Sequence, residues 1–263
     1  IAADQIGVRP EDIAVVSGDT ATIQLGLGGC ASRQTVTAGN SVHLAARAVR
    51  EKAIAAAAIM LDVPEENLDI RDGIVSEIGK NLSISLRDIA NTLAGAPGYK
   101  IPSGLAPGLE SAVNFETSSL TYGIGAHAVE LEVDPLTGGV SLLNYVVVND
   151  CGRIINPMTA KGQIHGGAVH GIGNALFEWM GFDANAQPLT TNFSDYLLPA
   201  APEIPPIDVL LVEYPSTKNP LGVKGIGESG TVPAAAAIIS GIEDALRDYD
   251  LRIDETPVSP ARL

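Results

Sequence analysis

An α+β fold built from two-layer repeats of the β-β-α-β-α type is predicted by three observations. From Gly125 onward the chain reads as two alternating strands, a helix, a third strand and a last helix. Upstream, a looser version of the same order can be traced. Between them, from Ala94 to Tyr122, the composition turns to Gly, Pro, Ser and Thr, which marks a boundary between a first subdomain, 1–115, and a second, 116–263.

The first half begins with what reads as the end of a helix, Ile1 to Gln5, then a turn at Arg9-Pro10-Glu11-Asp12 and a strand from Ile13 to Ser17. Gly26-Leu27-Gly28-Gly29-Cys30-Ala31-Ser32-Arg33-Gln34-Thr35 is a glycine-rich loop. It opens onto a long helix from about Ala38 to Leu61, and two readings of it stay open: Ser32 or Thr35 caps that helix, or the loop is a second anion- or cofactor-binding loop. Val42, Ala45, Ala46, Val49, Ala53 and Ala56 favour one face of that helix, and side chains so small require close neighbours. Two short strands flank the Asp72-Gly73 hairpin signal, and a helix capped by Ser85 runs to Leu93.

In the second half, Gly125 to Val133 and Val140 to Val148 are strands joined by a hairpin turn. Asn149 to Pro157 leads into a helix from about Met158 to Met180, with Gly162, Gly166, Gly167, Gly171 and Gly173 inside it. Each interior glycine costs about 1 kcal/mol against alanine, so five of them imply close approach of another helix or of a ligand. Gln163 sits beside Gly162 with an amide able to donate and accept. Trp179 and Phe177 read as core. Ile207 to Glu213 is a strand, and an apolar helix begins near Pro233.

Composition excludes several classes. The chain of 263 residues is 46% hydrophobic and 18% charged, with a formal net charge of −15. That charge opposes nucleic acid and anionic lipid, which basic patches hold. The longest apolar run, Ala53 to Val63, is too short to span a membrane. Cys30 and Cys151 are far apart and form no metal-binding spacing, though a disulfide between them is possible. His165 and His170 stand five apart, on different faces of a helix, so no metal ligands are assigned; His43 and His127 read as structural. The sequence starts at Ile1 with neither an initiator methionine nor a signal segment, and reads as a processed chain or an excised piece.

The stretch richest in chemistry is Leu221 to Tyr249. Gly225-Ile226-Gly227-Glu228-Ser229-Gly230 formally fits GxGxxG. That fingerprint needs a strand running straight into it and a βαβ unit after it, and here PSTKNPLGVK intervenes and one helix follows. Two readings stay open on the residues alone. The turn caps a helix and leaves Glu228 solvated, or it presents Glu228 as a base beside a closely approaching ligand.

Taken together, Asp150-Cys151-Gly152-Arg153-Ile154-Ile155-Asn156-Pro157, Gly162-Gln163-Ile164-His165-Gly166-Gly167, Asp195-Tyr196 and Asn219 to Glu228 resemble the molybdenum hydroxylases of the xanthine oxidase family. The match is to the C-terminal half of the molybdopterin-binding large subunit. The resemblance implies that Glu228 is the general base beside the metal. It implies that Gly162, Gln163, Ala31, Ser32, Arg33, Lys224, Gly225 and Gly227 contact the cofactor, a molybdenum-molybdopterin in its cytosine dinucleotide form. It further implies oxidation of an aldehyde or N-heterocycle with water-derived oxygen, electrons passing to 2Fe-2S and FAD centres on partner chains. The partners would be the other half of the large subunit, an iron–sulfur subunit and an FAD subunit, in the cytoplasm or, with an export signal elsewhere, the periplasm. Carbon monoxide oxidation and a noncatalytic module that kept the fold are the competing readings.

Overall fold

The computed structural model describes residues 1–23, 26 and 28–263; the part of the glycine-rich loop at Leu27 lies outside the described residues. The chain divides into two compact units, Ile1–Gly28 with Val36–Ser118, and Gly29–Thr35 with Ser119–Leu263. The short segment Gly29–Thr35 therefore belongs with a unit that begins more than eighty residues later.

The first unit opens with helix α1 (Ala2–Ile6) and is dominated by α2 (Asn40–Leu61). A single π-type turn, Thr35–Gly39, precedes α2, whose N-cap position is Gly39 with no side-chain cap. The expected caps are thus not used: Ser32 bonds elsewhere, as described below. Ala46, Ala53, Ala56 and Ala57 are buried, so the small-residue face of α2 does approach its neighbours closely. A sheet of β1 (Leu68–Arg71), β2 (Ile74–Glu77) and β3 (Ser83–Ser85) is antiparallel throughout. Asp72 and Gly73 both take positive φ, as the hairpin signal requires. Helix α3 (Leu86–Leu93) is capped by Ser85, whose Oγ accepts the Asp88 N–H at 3.1 Å. Ile89 and Leu93 close this core over Ile70 and Val75.

Two expectations fail in this unit. Ile13 to Ser17 forms no strand, and Val15 and Val16 are 83% and 70% exposed. A valine-rich run without a partner strand gains no ladder hydrogen bonds, so β propensity alone does not order it. The element order is α-α-β-β-β-α, so this half is not a looser copy of the second.

The second unit runs β4 (Ile124–Asp134), β5 (Gly139–Asp150), α4 (Pro157–Leu176), β6 (Ile207–Val212) and α5 (Ala234–Ala245), the β-β-α-β-α order. Strand β4 pairs antiparallel with β5, with a bulge between Glu130 and Leu131. Strand β6 pairs with β5 in parallel, Tyr145 opposite Ile207 and Asp150 opposite Val212. This sheet is therefore mixed, because α4 serves as the crossover between two parallel neighbours.

Asn156 caps α4, its Oδ1 accepting the N–H groups of Met158 and Thr159, and Pro157 takes the first helical position. The helix stops at Leu176, four residues earlier than its composition suggests. Trp179, expected in the core, is 47% exposed, while Phe177 packs against the core edge. Ile164, Ala168 and Ile172 of α4 meet Ile238 and Ile242 of α5 over Tyr145 and Val147 of the sheet.

The glycines of α4 have two different uses. A Cβ on Gly167 would lie 2.9 Å from the Cα of Gly230, and one on Gly171 would strike Ala234. These two let the chain entering α5 lie directly on α4. Gly162 and Gly166, one turn apart, have nothing within 4 Å, so that stretch of helix backbone is open beside Gln163. Among the described residues no helix is long and apolar enough to cross a membrane.

Candidate active site

The segment Leu221 to Ser229 is held from beneath by Asn219 and Asp150, which the sequence offered only as members of longer stretches. Buried Asn219 accepts the Val223 N–H on Oδ1 at 3.1 Å and donates from Nδ2 to the Val223 carbonyl at 2.9 Å. The Lys224 N–H donates to the Cys151 carbonyl at 2.8 Å, which ties the loop to the end of β5. The Lys224 ammonium pairs with Asp150, and both side chains are largely buried. Asp150 Oδ1 also accepts the N–H groups of Gly152 at 2.8 Å and Tyr214 at 3.1 Å. Burial pushes the Asp150 carboxyl up, but Lys224 and the two backbone donors outweigh it and hold it below its ordinary value. Lys224 is thus oriented by Asp150 while lining the adjoining cavity.

Beyond Lys224 the Gly29–Thr35 segment packs onto the Glu228 turn. Ala31 and Ser32 both take left-handed φ, 54° and 51°, which turns the Ser32 side chain toward the turn. Ser32 Oγ accepts the Glu228 N–H at 3.1 Å across 196 residues of sequence. Only glycine fits opposite it: a Cβ on Gly225 would lie 2.7 Å from Ser32 Cβ, and one on Gly227 would lie 2.9 Å from Ser32 Oγ. The two glycine-rich loops of the sequence therefore meet at one point.

Behind Glu228, His127 on β4 joins the turn to the core. Its Nε2 is 3.2 Å from the Ser229 carbonyl and its Nδ1 is 2.8 Å from the Tyr145 hydroxyl. The carbonyl requires a proton on Nε2, so Nδ1 accepts from the phenol. Burial favours the neutral imidazole and lowers the His127 pKa, against the opposing pull of the Ser229 carbonyl. Burial likewise raises the Tyr145 pKa to about 12, which keeps the phenol a donor. His127 is structural, as expected, but its position makes it the support of the Glu228 turn. No local signal could show this, since its partners lie 18 and 102 residues away.

A cavity of about 370 Å³ results, lined by Arg33, Gln34, Gln163, Lys224, Gly227 and Glu228 among others. Glu228 is exposed along its wall. Of the residues expected to serve one site, Ser32, Arg33, Gln163, Lys224, Gly227 and Glu228 line this cavity. Ala31 and Gly225 lie behind it and Gly162 one residue along α4. Both cysteines are free, Cys30 exposed and Cys151 buried, so the possible disulfide is not formed. Among the described residues no group of three or more His, Cys, Asp or Glu side chains is placed to hold a metal ion.

Comparison with known proteins decides what this cradle belongs to. Residues 1–205 match the family model of the molybdopterin cofactor-binding domain. The chain belongs to that family. Over its whole length this molybdopterin cofactor-binding chain is 40% identical to the gamma subunit of the 6-hydroxypseudooxynicotine dehydrogenase complex of Paenarthrobacter nicotinovorans, of which it covers 33%. Over 93% of its length it is 36% identical to the carbon monoxide dehydrogenase large chain of Hydrogenophaga pseudoflava, covering 30% of that protein. The crystal structure of quinoline 2-oxidoreductase from Pseudomonas putida 86 superposes with a TM-score of 0.88 at 33% identity, over 99% of this chain and 33% of that one. The chain thus spans about a third of the length of the curated relatives it matches.

Proposed function

We propose that this chain forms one side of the molybdopterin site in the catalytic subunit of a molybdenum hydroxylase, with Glu228 as its general base. The observation that carries the reading is the Ser32–Glu228 hydrogen bond, because it joins the two loops expected to hold the cofactor to the residue expected to do the chemistry.

The residues present fit such a group. Gly225 and Gly227 leave no Cβ between the turn and the Ser32 loop, and Gly162 with Gly166 leaves helix backbone open to a flat ligand beside Gln163. Arg33 suits a phosphate, and the Gln163 amide suits the donor and acceptor edge of a pterin. The cytosine dinucleotide form belongs to the proposal. When bound, molybdopterin would supply the two-electron redox chemistry.

The protein's part is to place and deprotonate. In the net reaction a carbon–hydrogen bond becomes a carbon–oxygen bond, water gives the oxygen, and two electrons and two protons leave. The Glu228 carboxylate accepts the proton of the water-derived nucleophile. Ser32 and His127 hold the backbone on either side of it, so the carboxylate meets the nucleophile without reorganisation. The substrate class is an aldehyde or an N-heterocycle; the nicotine-derived substrates named for two relatives at 40% and 39% identity support the heterocycle. Carbon monoxide oxidation is the second reading, supported by the 36% identical large chain. Electrons leave toward 2Fe-2S and FAD centres on partner chains.

Replacing Glu228 with Gln keeps shape and removes the base. Turnover of the assembled enzyme should fall by about 10²–10⁴ or more while its molybdenum content is unchanged. Ordinary turnover in that variant would refute the assignment.

A further inference from the structure

The sheet of the second unit is covered by helices on one face only. Val129, Leu131, Tyr145, Val147 and Val209 point to the face that packs with α4 and α5. Their neighbours along each strand point the other way, and the registers set these in rows: Ala126, Val148 and Leu210 in one, Ala128, Val146 and Asp208 in the next. Leu210 is 52% exposed, Val148 and Val212 are each 37% exposed, and both alanines are exposed.

That composition does not suit a face left in water. A sheet with one solvated face alternates apolar and polar residues along its strands, whereas strands buried on both faces read as nearly continuous apolar runs. Tyr145-Val146-Val147-Val148 and Val209-Leu210-Leu211-Val212 are such runs. Further along the same face the character changes. Glu130 and Glu132 on β4 and Asp208 on β6 are exposed, so carboxylates flank the apolar patch. Two copies meeting through this face would bring like charges together, in a chain of formal net charge −15. The face suits instead a partner that is apolar at its centre and carries Lys or Arg at its border.

The size of the relatives says where such a partner can come from. Quinoline 2-oxidoreductase matches over 99% of this chain but only 33% of its own, so about two-thirds of a subunit of that kind lies outside the matched part. We propose that the uncovered face of β4, β5 and β6 is the surface on which that remainder of the large subunit packs, with apolar side chains against Val148, Leu210 and Val212 and a basic side chain beside Asp208. This interface depends neither on Glu228 nor on a bound cofactor.

The test is photo-crosslinking in the complete purified enzyme, from p-benzoylphenylalanine placed at the centre of the patch (Leu210→p-benzoylphenylalanine) and, separately, at its border (Asp208→p-benzoylphenylalanine). Mass spectrometry of the adducts should find, from both positions, peptides of the large subunit outside the matched third. Adducts to a second copy of this chain, adducts to a separate subunit, or an intact assembly with no adduct from either position would overturn the proposal. Leu210→Glu sets a carboxylate at the centre of the patch and should lower the recovery of assembled enzyme by about tenfold or more in size-exclusion chromatography. Leu136→Glu, in the hairpin turn at a position 93% exposed, should leave recovery as in the wild type. Wild-type recovery of Leu210→Glu, or an equal loss in both variants, would also count against the interface. None of these readouts uses turnover: an assembly that holds no molybdenum yet gives the expected adducts keeps the interface and loses the redox reading.

Discussion

Asp150 is the residue on which the Glu228 turn most visibly depends. Its carboxylate takes the Lys224 ammonium and two backbone N–H groups, and its pKa lies below the ordinary value of 3.8. A carboxyl with a folded pKa below its unfolded one stabilises fully above the unfolded value, and that contribution fades as pH falls through the folded one. Asp150→Ala leaves Lys224 charged and largely buried without its partner, and should cost about 3–5 kcal/mol near neutral pH in a denaturant titration. The gap between wild type and variant should then shrink in acid below about pH 4. A gap that stays constant down to about pH 2 would show that the ion pair is not its source. Asp150 was quoted from the sequence only as part of a family stretch; its role rests on contacts 64 and 74 residues away, which no spacing pattern encodes.

At the scale of elements, α4 carries the sharpest contrast. Its five glycines signalled close approach, but sequence alone could not say which ones face protein and which face open space. Gly230, at the entry to α5, faces α4 so tightly that a Cβ would lie 2.8 Å from the Ala168 nitrogen. Gly230→Ala should therefore destabilise by about 1–3 kcal/mol, read as a lower urea midpoint, through overpacking. Gly162→Ala should do the reverse for stability, gaining about 1 kcal/mol in helix propensity. On the present reading it should also lower the molybdenum retained after dialysis, because the methyl group intrudes on the open helix face. Full retention in a stabilised Gly162→Ala enzyme would remove that face from the cofactor site. The β-β-α-β-α order was legible because alternation, the hairpin turn and the Asn156-Pro157 helix start are local signals. The false strand at 13–17 and the misplaced Trp179 share a cause: both hang on whether distant chain arrives to cover them.

Over the whole molecule, two units of different element order each hold their own core, and one short segment leaves its sequence neighbours to complete the other unit. That exchange sets Ser32 beneath Gly225 and Gly227, and so decides the geometry of the cavity. The glycines of both loops were conspicuous in the sequence, whereas their meeting was implied only through the family resemblance. The central claim is that this cradle holds molybdopterin beside Glu228. Its most direct test is molybdenum by elemental analysis of the complete purified assembly, together with the nucleotide released on denaturation. Near-stoichiometric molybdenum with a cytosine nucleotide is the expected result; an intact assembly without molybdenum would contradict the claim and return Glu228 to a solvated carboxylate on a helix-capping turn.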